Sequence, residues 1–387
     1  MTAEFDVVVA GGGLSGLSLV AHLASSRWGD RSVLLVDDAE HRPGAVRWGS
    51  WTDRPGLLDA ATSRWYKQVR VHAAGADGVV PLGRYRYRSV RRADLCRVVH
   101  GMLMGRPGFV ARRGRVEEVV DGPDHAEVLV DGQRVEATWA FDSVTPPPAG
   151  GEPDARLAFT GWELECARPV FDPDSPTLFD FRTAQAAGPA FVYVLPDDRH
   201  HALVEITAFV PRRLVPPSRA ARCDALAEYL DTVLHCGGFR VACEESAVLP
   251  LHVRPPRESR QRVRAIGARA GLVKASTGYA YERIQRDSDR ITASLTRWDH
   301  PFGATPAHRR HRLLDAVMLE ALDHDPSLLE EMFARLFLRN PAERVLRFLD
   351  EDSGVGDELR LIASLPPVPY LRATAGRIKH RAGRRDG

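Results

Sequence analysis

No two of the five cysteines (Cys96, Cys166, Cys223, Cys236 and Cys243) are spaced as Cys-x-x-Cys. This excludes the common zinc and thioredoxin patterns and suits a reducing cytoplasm. Long hydrophobic runs are also missing: none reaches the roughly 18 to 20 apolar residues that span a bilayer. Excess charge is missing too, because 53 Lys and Arg face 51 Asp and Glu, so no global field favours nucleic acid. The opening Met-Thr-Ala-Glu-Phe-Asp has neither a basic n-region nor a cleavage site, so no signal peptide is expected. There is no internal repeat and no low-complexity segment. These absences predict a cytoplasmic protein that is soluble or lies on a membrane, with no obligate protein partner. Only the last eleven residues, RIKHRAGRRDG, are strongly basic. They read as a solvated tail or as an attachment to anionic lipid on the inner face of the cell membrane.

What is present starts with FDVVVAGGGLSGLSLVAHLA, residues 5–24. The Val run of residues 5–10 predicts a buried parallel strand, and apolar spacing predicts a helix over 14–25. SVLLVDD (32–38) predicts a second buried strand. Between strand and helix, Gly11, Gly13 and Gly16 form G-x-G-x-x-G. That motif permits a tight turn, close approach of a pyrophosphate to backbone, and close packing of helix on strand. The helix N-terminus adds unpaired N–H groups. Asp37, 21 residues past Gly16, is placed for ribose hydroxyls. A second glycine-containing strand-loop-helix at 263–284 carries Gly267, Gly271, Thr277 and Gly278, with the helix expected to start near Thr277. An extended flavin needs such a return segment, so FAD is expected rather than NAD.

At 387 residues the chain exceeds one ordinary core. Helices are expected at 95–104, at 218–235 with Ser218 as N-cap, and through most of 305–363. Residues 112–144, with two Asp-Gly turns, predict a β-meander or a pair of hairpins. TPPPAGGEPDA (145–155) is the clearest breaker. Strands are expected at 157–165, 177–182, 190–196 and 201–210, forming an antiparallel sheet that walls a substrate cavity. The expected fold is therefore α/β. A Rossmann-like FAD-binding part spans 1–150 with inserted β segments and returns at 263–300. A β-sheet substrate domain spans 151–262, and a helical region with the basic tail spans 301–387.

From residue 159 onward a family resemblance accumulates. FTGWELE (159–165), FDPDSPTLFDF (171–181), FVYVLP (191–196), ALVEITAF (202–209), VKASTGYAYERIQ (273–285), RVLRFLDEDS (344–353) and LPPVPYLRA (365–373) occur in order. Together they resemble the bacterial flavoprotein lycopene β-cyclases over essentially the whole chain. The resemblance implies a fold akin to the FAD-dependent monooxygenases. It also implies a redox-neutral isomerisation (an intramolecular lyase reaction) in which an acyclic carotenoid end closes to a β-ionone ring. The flavin must be reduced without being consumed, with NAD(P)H as a candidate reductant and a hydrophobic polyene as substrate. Glu205 matches the family's essential carboxylate. Three positions depart from the pattern. Ile206 stands where an acid is common, and its apolar side chain is expected to raise the Glu205 pKa. Arg47 precedes Trp48 where Thr-Trp is frequent. FDSVTPPP (141–148) replaces an Asp-Ala-Arg-Gly-like strand end.

The residues suit that chemistry. An alkene is a very poor base, so the acid must stay protonated in an apolar pocket. Glu205 lies among Leu203, Val204 and Ile206. Trp162, Phe181, Tyr193, Tyr279 and Tyr281 are candidates to stabilise a tertiary carbocation through their ring faces. Glu163 and Glu165 are next in line as the acid. His308, His311, Asp315 and His324 read as a solvated helix face rather than a metal site. Asp172, Asp174 and Asp180 read as turn and strand-end residues, so no metal is expected. Three alternatives stay open: a cyclase of another terpenoid or prenylated chain, an FAD-dependent monooxygenase, and a flavin-binding protein without turnover.

Overall fold

The computed structural model describes residues 4–38, 46–146, 152–185, 188–254, 261–303 and 309–366. Strands Phe109–Arg113, Val33–Asp37, Phe5–Ala10 and Gln133–Asp142 lie side by side and parallel. Val7, Val8 and Val9 are wholly buried because both faces of this sheet are covered, as an unbroken Val run requires. Helices Leu14–Ala24 and Tyr281–Trp298 pack into the same core on one face. The sheet continues through the antiparallel strands Ala126–Val130 and Val116–Asp121. Asp131 (φ 49°) and Gly132 (φ 73°) make the tight turn after Ala126–Val130, as the Asp-Gly pair predicts. Strand Val263–Ala265 returns to this sheet, parallel to Ala140–Asp142.

The second sheet runs in the order Phe239–Leu251, Ala155–Cys166, His201–Pro211, Ala190–Pro196, Thr177–Asp180, Gln68–Ala73 and Ala76–Pro81. Two of its strands thus come from the first 150 residues. Its longest strand, Phe239–Leu251, is not among those expected above. It forms the sheet edge, is exposed over residues 239–242 and half-buried over residues 243–247 on both faces, and so lacks a clean apolar alternation. A small third sheet, Arg47–Thr52, Arg86–Arg91 and Thr62–Tyr66, lies apart from both in its pairing. Helix Arg219–Thr232 covers one face of the second sheet, and Ser218 Oγ accepts the N–H of Ala221 at 3.1 Å as its cap. Helices Arg309–His324, Leu328–Arg339, Ala342–Leu349 and Val355–Ser364 follow, and residues of all four enter the core on the opposite face. The strand pleat therefore decides which of two unlike environments each residue of the second sheet meets. No helix among the described residues is long and apolar enough to cross a membrane.

Candidate active site

The first glycine loop is built by close approach. Gly11 sits at φ +105°, and a Cβ on Gly16 would lie 1.9 Å from the Gly11 carbonyl oxygen. Neither position accepts a side chain. Gly13 caps helix Leu14–Ala24 in extended conformation. Asp37 Oδ1 accepts the Gly12 N–H at 3.0 Å, while its other oxygen pairs with Arg92. Arg92 also donates to the Gly12 carbonyl at 3.3 Å. Sequence reasoning missed Arg92, whose helix, Arg92–Leu103, starts three residues before the expected one.

The return segment closes on this loop. Gly267 lies at φ +64°, and its Cβ would stand 2.4 Å from Ser15 Oγ on the first helix. Gly271 also has positive φ, at 70°. At 274–279 the chain folds on itself. The Lys274 carbonyl accepts N–H groups from Thr277 and Gly278, and Lys274 N–H donates to the Tyr279 carbonyl at 3.0 Å. Gly278, at φ +77°, cannot be helical, so the helix starts at Tyr281 rather than near Thr277. The same glycine brings backbone against Leu157 of the second sheet. The altered strand end at 141–148 also has its reason, within the described residues to 146. Buried Asp142 accepts the N–H groups of Val144 and Thr145 at 3.0 Å and pairs with Arg269 at 3.2 Å.

Glu205 lies on the face of the second sheet turned toward this return loop. Register places Glu245, Gly161, Glu205 and Tyr193 in one row across four strands, all on the same face. Thr207 Oγ1 donates to Glu205 Oε1 at 3.0 Å. Burial, with the Glu245 carboxyl as a second cause, pushes Glu205 up to about 8. Burial pushes Glu245 up to about 7. The phenols of Tyr87, Tyr193 and Tyr279 are raised by burial, and each feels the Glu205 charge. Tyr279 Oη is buried without an aligned hydrogen-bond partner among the described residues, and its ring meets Trp51 edge-on at 4.5 Å.

The expected role of Ile206 is overturned by the pleat. Ile206 points away from Glu205 and is buried with Val204 and Ala208 beneath helix Arg219–Thr232. It does not neighbour the Glu205 carboxyl. Trp162 pairs with Val204 and so shares that far face; its Nε1 donates to Glu244 at 3.1 Å. Tyr281 is also remote. It opens its helix under the Arg88 guanidinium, 4.4 Å above the ring, and lines a separate polar cavity of 390 Å³ with Asp53, Arg54, Glu282 and Asp350. Phe181 does lie on the Glu205 side, with Phe191 at 5.5 Å and Phe333 at 6.2 Å. Tyr87 carries no signal along the chain beyond its place in an Arg- and Tyr-rich strand.

The other acids are committed elsewhere. Glu163 accepts from the fully buried Arg47 guanidinium at 2.7 Å, which also holds Asp197 at 2.9 Å. This explains Arg47: it ties the small third sheet to the second. Exposed Glu165 is held below the usual range by its hydrogen bond and ion pair with Arg240. His311 and Asp315 are buried rather than on a solvated helix face: Asp315 binds Lys274 at 3.0 Å and His311 contacts Ser353 and Glu358 at 3.2 Å, while exposed His324 lies 3.6 Å from Glu320. His308 lies outside the described residues. Asp172 Oδ1 accepts the N–H of Asp174 in a turn, and buried Asp180 binds Arg182 and Tyr229. No group of three or more such ligands among the described residues is arranged to hold a metal.

A parallel βαβ sheet is joined by a return strand, and a second sheet, antiparallel except where Thr177–Asp180 meets Gln68–Ala73 in parallel, lies over the loop. The fold is that of FAD-dependent monooxygenases and halogenases. Flavin-dependent brominase Bmp2 superposes with a TM-score of 0.60 at 14% identity, over 99% of this chain and 100% of that one. A geranylgeranyl bacteriochlorophyll reductase-like protein from Thermoplasma acidophilum superposes at 0.62 and 12% identity, over 96% and 98%. The family model "Lycopene cyclase protein" matches residues 6–375, and the chain belongs to that family. It is 24% identical to lycopene beta-cyclase of Pantoea ananas over 96% of this chain and 98% of that protein. It is 27% identical to chloroplastic neoxanthin synthase of Solanum tuberosum over 73% of this chain, but spans only 58% of that plant protein.

Proposed function

We propose that this chain is a lycopene β-cyclase that closes acyclic carotenoid ends to β-ionone rings without net oxidation or reduction. The observation that carries the reading is Glu205: an acid that its desolvated surroundings push up to about 8, facing the return loop among tyrosines. It is protonated at neutral pH, as protonation of an alkene requires.

The glycine cradle fits FAD. Gly11 and Gly16 keep the first turn tight, since a Cβ there would strike Ser143 or the Gly11 carbonyl, and Gly13 opens the helix whose N-terminus would receive a pyrophosphate, with Asp37 and Arg92 at the ribose end. Gly267, Gly271 and the 274–279 turn carry backbone toward Glu205, as an extended flavin requires. When bound in its reduced, anionic form, FAD would supply negative charge close to the carbocation. NAD(P)H is the proposed source of its electrons.

Glu205 gives its proton to the terminal trisubstituted alkene, leaving a tertiary cation. The next double bond attacks that cation and closes the ring. Loss of a proton beside the new cation then restores neutrality. Tyr193, Tyr279 and Phe181 present ring faces and edges to the cation, while the apolar walls exclude water. Those walls, including Leu157, Phe179, Phe191 and Phe209, leave only about 10 Å³ free. Side chains must therefore move to admit a polyene. The basic tail is proposed to hold the chain at the membrane surface that carries so apolar a substrate.

Expression in cells that make an acyclic C40 carotene tests the reading. The expected product is a cyclic isomer, formed in the purified system only with reduced flavin and without its consumption. Oxygen incorporated into product, or flavin oxidised once per turnover, would show that the chain is a monooxygenase or reductase instead.

A further inference from the structure

The row that contains Glu205 contains a second carboxyl that the mechanism above has not used. Glu245, on the edge strand Phe239–Leu251, pairs with Gly161, and Gly161 pairs with Glu205. Two strand spacings of about 4.8 Å separate the two acids at their backbones, and both side chains stand on the cavity face. The residue between them has no side chain. A Cβ there would come within 3.2 Å of Glu205 Oε2 and 3.1 Å of Leu203 Cδ1. The glycine thus lets the Glu205 carboxyl lie over the backbone that separates the two acids.

The adjacent acid shows that this placement is specific. Glu244 points to the other face, where it accepts from Arg219 and Trp162. Among the described residues no cation pairs with Glu245. The charged or titratable groups on its face are Glu205, Cys243 on its own strand, the phenols of Tyr87, Tyr193 and Tyr279, and groups already paired: Glu163 and Asp197 with Arg47, Glu165 with Arg240, and His201 with Asp198. None is positioned as a permanent counter-ion. Burial raises Glu245 as it raises Glu205, and the Glu205 value carries the Glu245 charge among its causes. Such a pair holds one proton more readily than none or two.

Resting on the cyclase reading, we propose that Glu245 is the base of the reaction and that the Glu205–Glu245 pair carries a single proton through each ring closure. Protonated Glu205 forms the new C–H bond at the alkene and becomes a carboxylate. The ring C–C bond forms as the neighbouring double bond supplies its electron pair to the cation. Glu245, ionised at the start, takes the proton from the carbon beside the final cation. The C–H electron pair becomes the ring double bond. The proton then returns from Glu245 to Glu205 over Gly161, so no proton, electron or co-reactant is consumed. Position decides which C–H bond breaks, and so fixes the double-bond isomer of the ring.

The experiment compares wild type, Glu205→Gln and Glu245→Gln as FAD-loaded enzymes, with lycopene in detergent and reduced flavin. FAD absorbance and thermal unfolding confirm that each variant is folded. Glu245→Gln is expected to slow turnover about 10²-fold or more and to release a mixture of ring double-bond isomers. Its pH profile should lose the limb near neutrality that belongs to Glu245. Carboxyl infrared titration supplies a readout independent of turnover: the Glu205 band should titrate at lower pH once the Glu245 charge is gone. Turnover within threefold of wild type, with one isomer and an unchanged pH profile, overturns the proposal. So does a slow variant that keeps the single isomer, the neutral limb and the Glu205 titration, because that result marks a structural effect only. Turnover retained by Glu205→Gln would overturn the proposal by moving the acid elsewhere, whereas wild type that forms no cyclic isomer would remove the cyclase reading on which the proposal rests.

Discussion

Glu205→Gln separates function from stability, because the structure predicts opposite effects on the two. The amide has nearly the same shape and can still accept the Thr207 hydroxyl bond seen at 3.0 Å. It cannot donate a proton to an alkene, so turnover should fall by at least the general-acid contribution of about 10²–10⁴. Stability moves the other way at high pH. Burial first, then the Glu245 charge, raises this carboxyl from 4.5 to about 8 in the folded chain. Below the unfolded value both states are protonated and the folded chain keeps this contribution whole. As pH rises, the unfolded chain ionises first, and the contribution is lost by the time pH passes the folded value. At 1.36 kcal/mol per pH unit, that span costs wild type at most about 5 kcal/mol. Gln does not titrate. Urea unfolding at pH 5 and pH 9 should therefore show the variant gaining on wild type by several kcal/mol at the higher pH. Because the two carboxyls are coupled, the midpoint belongs to the pair. Identical pH dependence in the two proteins would refute the buried, protonated acid, whatever happens to turnover.

Gly267→Ala should weaken FAD binding about tenfold or more, because left-handed strain of about 1–2 kcal/mol adds to the contact with Ser15; flavin titration measures it. Ile206→Glu should lower stability by about 3 kcal/mol without moving the Glu205 limb of the pH profile, since its carboxyl enters the core beneath helix Arg219–Thr232. Arg47→Met should cost about 3–5 kcal/mol in chemical unfolding, because it leaves Glu163 and Asp197 without their buried partner. Trp162→Leu should leave turnover within twofold of wild type; a loss as large as that of Glu205→Gln would place the indole in the cavity.

Much of the fold was legible because its signals are local. The Val run of residues 5–10 and the spacing of Gly11, Gly13 and Gly16 need only their own neighbours to be read. Ser218, following two prolines, marked its helix, and Asp131-Gly132 marked its turn. The strand Phe239–Leu251 was missed for the same reason in reverse. It is an edge strand whose pairing to Ala155–Cys166, rather than its own pattern, holds it in place. Arg92 and Tyr87 were missed because their neighbours, Gly12 and Asp37 for one and Tyr279 for the other, are far away in sequence.

The most instructive difference lies within five consecutive residues. Leu203, Val204, Glu205, Ile206 and Thr207 read along the chain as one apolar environment around an acid. In a pleated strand they are two environments, because alternate residues face opposite sides of the sheet. Leu203, Glu205 and Thr207 stand on the face turned to the return loop, whereas Val204 and Ile206 meet a helix on the other side. The acidity of Glu205 is therefore set by burial on its own face, by Glu245 two strands away in register and by the Thr207 hydroxyl, while Gly161 and Tyr193 flank it on the adjacent strands. Gly161 and Tyr193 stood in the family-like strings, but nothing in the order of the chain places them, or Glu245, next to the acid. An apolar residue at 206 consequently changes the packing under helix Arg219–Thr232 and leaves the Glu205 face unaltered. Differences in specificity between this chain and its relatives should instead be sought at 161, 193, 245 and 279, on the Glu205 face and the loop that closes over it.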